Sequence, residues 1–168
     1  MDTSLIIAII SPVLITVGGL ISWLIKSRKE ELLALEERAR EHKLKTYEML
    51  LEPFIGAFTF TLTPEEKDKF YQKMHTVEYR QAAINLISFG SDEVVRSYNK
   101  IMQDFFNPPI NKSGENKEEY ALLHLKNFAD FLLNIRKDLY DKRSNLKRSE
   151  TLEFMITDVE KHRKIFDK

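Results

Sequence analysis

The sequence contains no cysteine. Disulfides, thiolate metal sites and a cysteine nucleophile are thereby excluded. Glycine and proline are scarce, at five residues each. Gly18 and Gly19 sit inside an apolar run, so no glycine-rich phosphate loop can be assembled from what is left. There is no Walker A motif, no GxSxG and no HExxH. The four histidines, His42, His75, His124 and His162, include no pair three or four residues apart. His124 lies beside core-facing Leu125 and reads as a structural histidine. Bulk charge is missing as well. Outside residues 1–25, whose only charge is Asp2, 26 basic residues meet 25 acidic ones. A net of +1 gives no electrostatic case for nucleic acid. These absences argue against an enzyme, and predict neither a cofactor nor a metal site.

What is present begins with an apolar run. Residues 5–25, LIIAIISPVLITVGGLISWLI, hold no charged side chain over 21 positions. As a helix this is roughly 31 Å long, about the thickness of a bilayer hydrocarbon core. It predicts one transmembrane span. No Lys or Arg precedes it, whereas Lys26, Arg28 and Lys29 follow directly. Positive residues stay on the cytoplasmic side, so the N-terminus is expected outside the inner membrane and residues 26–168 in the cytoplasm. Trp23 falls at headgroup level. A cleaved signal peptide would need a basic n-region, a shorter apolar core and a small-residue cleavage site, and none is found.

One face of this helix is made of small residues. Ala8, Ser11, Gly18, Gly19 and Ser22, with Ile15 among them, fall within an arc of about 100°. Such a face lets helix backbones approach closely in lipid, and predicts a homo-oligomer. The plainer reading is that Gly and Ser are common in membrane helices.

The rest of the chain reads as helices, an all-α fold. A charged juxtamembrane stalk over 26–43, with Glu36 and Arg40 spaced i,i+4, leads into the stripe Leu44, Tyr47, Leu51, Phe54. Pro53 is expected to end or kink this helix near residue 52, and residues 55–62 fit an extended or a helical segment equally. Thr63-Pro64-Glu65-Glu66 is a capping box that starts a helix reaching about residue 89, with a break near His75-Thr76. Gly90 stops it, and Ser91 is placed to cap the next. That helix shows Val94, Tyr98, Ile101 and Phe105 on one face, joined by Val95, Met102 and Phe106. The one long connector, NPPINKSGEN, follows at 107–116. Ala121, Leu125, Phe128, Leu132, Ile135 and Leu139 form the most regular stripe, on a helix over about 117–142. A last helix over about 150–166 carries Leu152, Met155, Ile156, Val159 and Phe166. The expected architecture is a transmembrane helix, a helical stalk, and an antiparallel bundle of four or five helices over 44–168 in the cytoplasm.

FGSDEVVRSYNKI at 89–101 and FLLNIRKDLYDKR at 131–143, after YEMLLEPF at 47–54, resemble elements of a set of small prokaryotic membrane proteins. Members have one N-terminal anchor, a charged helical stalk and a short helical cytosolic domain. The relatives often carry Gly after the RKDL element; Tyr140 stands there, and predicts that the helix runs on. The resemblance implies a topology and no activity.

One basic cluster stands out. Arg136, Lys137, Lys142, Arg143, Lys147 and Arg148 face Asp138 and Asp141, a net of +4. It reads as a solvated helix end favoured by the dipole, as a contact for anionic membrane lipid, or as an anion site for a nucleotide or an RNA end. Arg136, Lys137, Arg143 and Arg148 are the candidates, with Arg136 as a fork. No motif supports a nucleotide. Two functions follow. One is a non-enzymatic interaction and assembly module at the inner face of a membrane, with a protein partner still to be identified. The other is a small effector of antiviral defence, whose cytosolic domain senses a signal and rearranges oligomerised anchors to perturb the membrane.

Overall fold

The computed structural model describes residues 3–58, 63–107, 117–140 and 144–168; for residues 3–14, 57, 58 and 117 only the helical backbone is described. The described residues hold seven helices and no strand. In chain order these are α1 (Thr3–Phe58), α2 (Pro64–Lys73), α3 (Val77–Phe89), α4 (Asp92–Phe106), α5 (Lys117–Leu139), α6 (Arg148–Leu152) and α7 (Val159–Phe166). The chain divides into two units, Met1–His42 and Lys43–Lys168.

The first unit is the N-terminal part of α1. Every side chain from Ile15 to His42 is exposed. Ile15, Val17, Leu20, Ile21, Trp23, Leu24 and Ile25 are among them. Among the described residues no helix is long and apolar enough to cross a membrane. Residues 5–14 of the expected span have side chains outside the described set, and residues 15–25 alone cover only about 16 Å. In the charged stretch Arg28 pairs with Glu31 at 3.5 Å and Arg40 with Glu37 at 3.8 Å, both at i,i+3 spacing.

The second unit has one core. Its α1 segment contributes Tyr47, Leu50 and Phe54, and α3 and α4 contribute Ala82, Leu86, Val94, Tyr98 and Ile101. Phe128, Phe131 and Ile135 come from α5, and Leu152, Val159 and Phe166 from α6 and α7. Pro53 does not end α1, which runs on to Phe58. Its ring is fully buried. A proline costs one helical hydrogen bond and some crowding, and burial of the ring offsets that here. Residues 55–58 are helical, while 59–62 lie outside the described residues.

The start signal at Thr63 acts as read. The Thr63 hydroxyl accepts from the Glu66 N–H, and the Thr63 N–H donates to the Glu66 carboxylate at 2.8 Å. That backbone hydrogen bond holds the Glu66 carboxyl below its ordinary value. The Thr76 hydroxyl accepts from the Tyr79 N–H at 3.2 Å, so α3 restarts after the break at residues 74–76. Ser91 sits at the N-cap of α4, yet its side chain makes no capping hydrogen bond. Asp92 and Glu93 in the first turn complement the helix dipole instead.

Four helix readings are corrected. Phe105 and Phe106 are exposed, although they continue the apolar face of α4; the Phe105 ring instead lies beside Tyr71, with centroids 5.8 Å apart. The α5 stripe is rotated: Phe131 and Ala129 are fully buried, Leu132 is half-buried and Ala121 is exposed. Neighbours on both sides of the stripe meet the core, so its centre lies nearer Phe131 than Leu132. α5 stops at Leu139, with Tyr140 in a turn, so the helix does not run on past the RKDL element. The last helix is two, α6 and α7. The Met155 and Ile156 N–H groups both donate to the Leu152 carbonyl, at 2.9 and 3.1 Å. This turn folds the chain back, so that Leu152, Val159 and Phe166 reach one core instead of extending along a straight rod. Most of the long connector, residues 108–116, lies outside the described residues.

Candidate functional site

The RKDL element at the end of α5 splits between core and surface. Asp138 turns inward and is only 8% exposed. It accepts from the Lys43 ammonium at 3.1 Å and from the Tyr47 hydroxyl. Burial pushes the Tyr47 hydroxyl far up, and the Asp138 charge beside it pushes the same way. Asp138 is therefore engaged with α1 and does not compensate the basic cluster at the surface. A helix C-terminus disfavours a carboxylate, and the Lys43 ammonium answers that.

A second network fixes the start of α6. The Arg148 guanidinium donates through Nε to Asp130 at 2.5 Å and through Nη1 to the Phe166 carbonyl at 3.2 Å. Ser149 is fully buried. Its N–H and hydroxyl both donate to the Asp167 carboxylate, at 3.1 and 2.9 Å. Burial pushes the Asp167 carboxyl up, but the Ser149 hydrogen bonds, with Lys147 and Arg163, outweigh it and hold the group below its ordinary value. α5, α6 and the end of α7 are thus tied together by polar contacts.

Between them lies a cleft of about 310 Å³, lined by Asp130, Leu133, Asn134, Lys137, Leu146, Lys147, Arg148 and Asp167. The basic cluster is sorted by this geometry. Lys137 and Arg148 line the cleft. Arg136 does not; its Nε donates to the Ser144 hydroxyl at 3.0 Å. Arg143, with Asp141 and Lys142, lies outside the described residues. Lys147 lines the cleft and was not a sequence candidate. Asp130 and Asp167 were missed too. Each meets its partner across 18 residues of chain, and no local pattern encodes that pairing. Chemically, the cleft offers ammonium groups beside a fixed guanidinium and two leucines.

The other candidates are dispersed. Gly18 and Gly19 have nothing within 4 Å of where a Cβ would stand, and Ser22 is exposed. Ala8 and Ser11 have side chains outside the described residues. His124 stacks edge-on to Tyr120, and its Nδ1 lies 4.0 Å from Asp104. Nearby, the buried Asn127 donates to Asp104 at 2.5 Å, while its Oδ1 has no partner among the described residues. His162 Nε2 is 3.9 Å from Glu118. Among the described residues no group of three or more His, Asp or Glu is arranged to hold a metal ion.

No family model matches the chain, and no curated protein or solved structure matches it significantly. The resemblance to small prokaryotic membrane proteins thus rests on residues 47–54, 89–101 and 131–143 alone.

Proposed function

We propose that this chain is a membrane-anchored helical module that assembles with itself, or with a protein partner, at the inner face of a prokaryotic membrane, and that it catalyses no reaction. The observation that carries the reading is a charge-free surface. Residues 5–25 contain no ionisable side chain, and Ile15, Leu20, Ile21, Trp23, Leu24 and Ile25 are all exposed on α1. Contiguous apolar surface of this kind needs a cover. Lipid provides one along the whole run, and a second copy provides one along the Gly18 face. Lys26, Arg28 and Lys29 set the orientation.

Fractionation tests the anchor. The full chain should stay with membranes through an alkaline carbonate wash, and its recovery in the supernatant would sink the proposal. A reporter active only outside the cytoplasm, fused at Lys168, should be silent. Gly18→Leu should weaken self-association in a membrane two-hybrid assay, whereas Val13→Leu should not.

The cleft beside α6 favours a second reading, the defence effector whose cytosolic unit binds a signal. Overexpressed full chain would then be toxic, and Gly18→Leu would relieve the toxicity.

A further inference from the structure

We infer that the cleft between α5, residues 144–147 and α6 is a binding site for the phosphate group of a small ligand, gripped by Lys137 and Lys147. This goes beyond the membrane reading and does not depend on it.

Five charged side chains line the cleft, and three are already used. Asp130 is taken by Arg148, and Arg148 is held further by the Phe166 carbonyl. Asp167 is taken by the Ser149 N–H and hydroxyl. The Asn134 amide also has a partner, the Glu93 carbonyl at 3.2 Å. Two ammonium groups remain. Neither the Lys137 nor the Lys147 ammonium has a hydrogen-bond or ion-pair partner among the described residues; Lys147 acts on Asp167 only at longer range. The lining holds three cations, Lys137, Lys147 and Arg148, against two carboxylates, Asp130 and Asp167, so the cleft carries a net of +1 that an anion offsets.

The kind of anion follows from the donors. Lysine ammoniums are compact point charges on flexible stems, without the flat fork that matches a carboxylate. A phosphate ester offers several strong acceptor oxygens and close to two negative charges, so a single group can meet both lysines. The 310 Å³ volume lies at the small end of ligand sites. It admits a phosphate with a sugar-sized or glycerol-sized remainder. Leu133 and Leu146 give that remainder an apolar wall. The contacts of Arg148 with Asp130 and of Ser149 with Asp167 hold α5, the start of α6 and the end of α7 together beforehand, so binding need not bring these elements together. A nucleotide and a lipid headgroup share this phosphate chemistry.

The test is calorimetric titration of the detergent-solubilised full chain at constant ionic strength. The probes are inorganic phosphate, glycerol 3-phosphate and AMP, with adenosine as the uncharged control. All three phosphates should bind and adenosine should not. Lys137→Gln combined with Lys147→Gln should weaken phosphate binding by roughly tenfold or more, from the loss of two charge-assisted hydrogen bonds. Each single variant should weaken it less. Lys100→Gln, an exposed change on α4, should leave it alone. AMP binding more tightly than glycerol 3-phosphate would identify a nucleotide as the source, and equal binding a headgroup. The inference is overturned if no phosphate binds the wild-type chain at millimolar concentration, or if the double variant, with its helical circular dichroism intact, binds as the wild type does.

Discussion

Replacing Phe131 by alanine asks where the core of α5 lies. Phe131 is fully buried, and its ring packs on Tyr98 with centroids 5.7 Å apart. Truncating a buried phenylalanine costs about 3–5 kcal/mol, from lost transfer energy and the cavity left behind. Complete burial and the loss of an aromatic pair place Phe131→Ala in the upper half of that range, about 4 kcal/mol. Leu132 is the control. It is half-buried, so only part of its surface is lost from the core, and Leu132→Ala should cost about 1–2 kcal/mol. For a unit of this size 1 kcal/mol moves the melting temperature by about 3–4 °C, so Phe131→Ala should melt about 12–16 °C below the wild type. Leu132→Ala should melt about 3–8 °C below. Thermal unfolding of the full chain in detergent, followed by near-ultraviolet circular dichroism, reads the difference directly. If Leu132→Ala is the more damaging of the two, the α5 face has been assigned wrongly, and so has the wall of the cleft built on it.

Other substitutions probe single contacts. Asp138→Ala strands the buried Tyr47 hydroxyl and the Lys43 ammonium, and should cost about 2–3 kcal/mol in urea unfolding, against about 1 kcal/mol for Lys43→Ala. Near-equal costs would mean that the carboxylate is not the hub. A Cβ on Gly56 would run into the Phe70 ring, so Gly56→Ala should destabilise by about 1–3 kcal/mol, even though alanine is the better helix former; a higher melting temperature would contradict the packing of α1 on α2. Burial raises the hydroxyls of Tyr47, Tyr79 and Tyr98 above their ordinary value near 10. A raised folded value means that stability is fully present below pH 10 and is lost as pH climbs past it. Tyrosinate absorbance from these residues should therefore appear together with loss of helical circular dichroism, and its appearance in a fully helical chain would refute their burial.

Signals that act within one or two helical turns were legible in the chain. Thr63 and Glu66 stand three residues apart and cap each other whatever surrounds them. The break at His75-Thr76 and the stop at Gly90 are of the same kind. Helix content follows as well, because the apolar spacing, the missing glycine and the charged faces act locally. The apolar stretch at 5–25 is a property of composition, and its reading as an anchor belongs to the sequence. Tertiary structure decided where α1, α5 and α6 stop and which side of each helix is inside. Pro53 is tolerated because its ring finds a core to enter. The apolar face of α4 runs out to Phe105 and Phe106, which the core does not cover. The charge cluster divides the two kinds of information most clearly. Counted along the chain, residues 136–148 hold a surplus of cations. Counted in space, Lys43 takes Asp138 across 95 residues and Asp130 takes Arg148 across 18, so among the described residues the cluster's cations left without a carboxylate are Arg136, Lys137 and Lys147. An ion pair depends on distance through space, and sequence spacing reports that distance only while both partners share one helix.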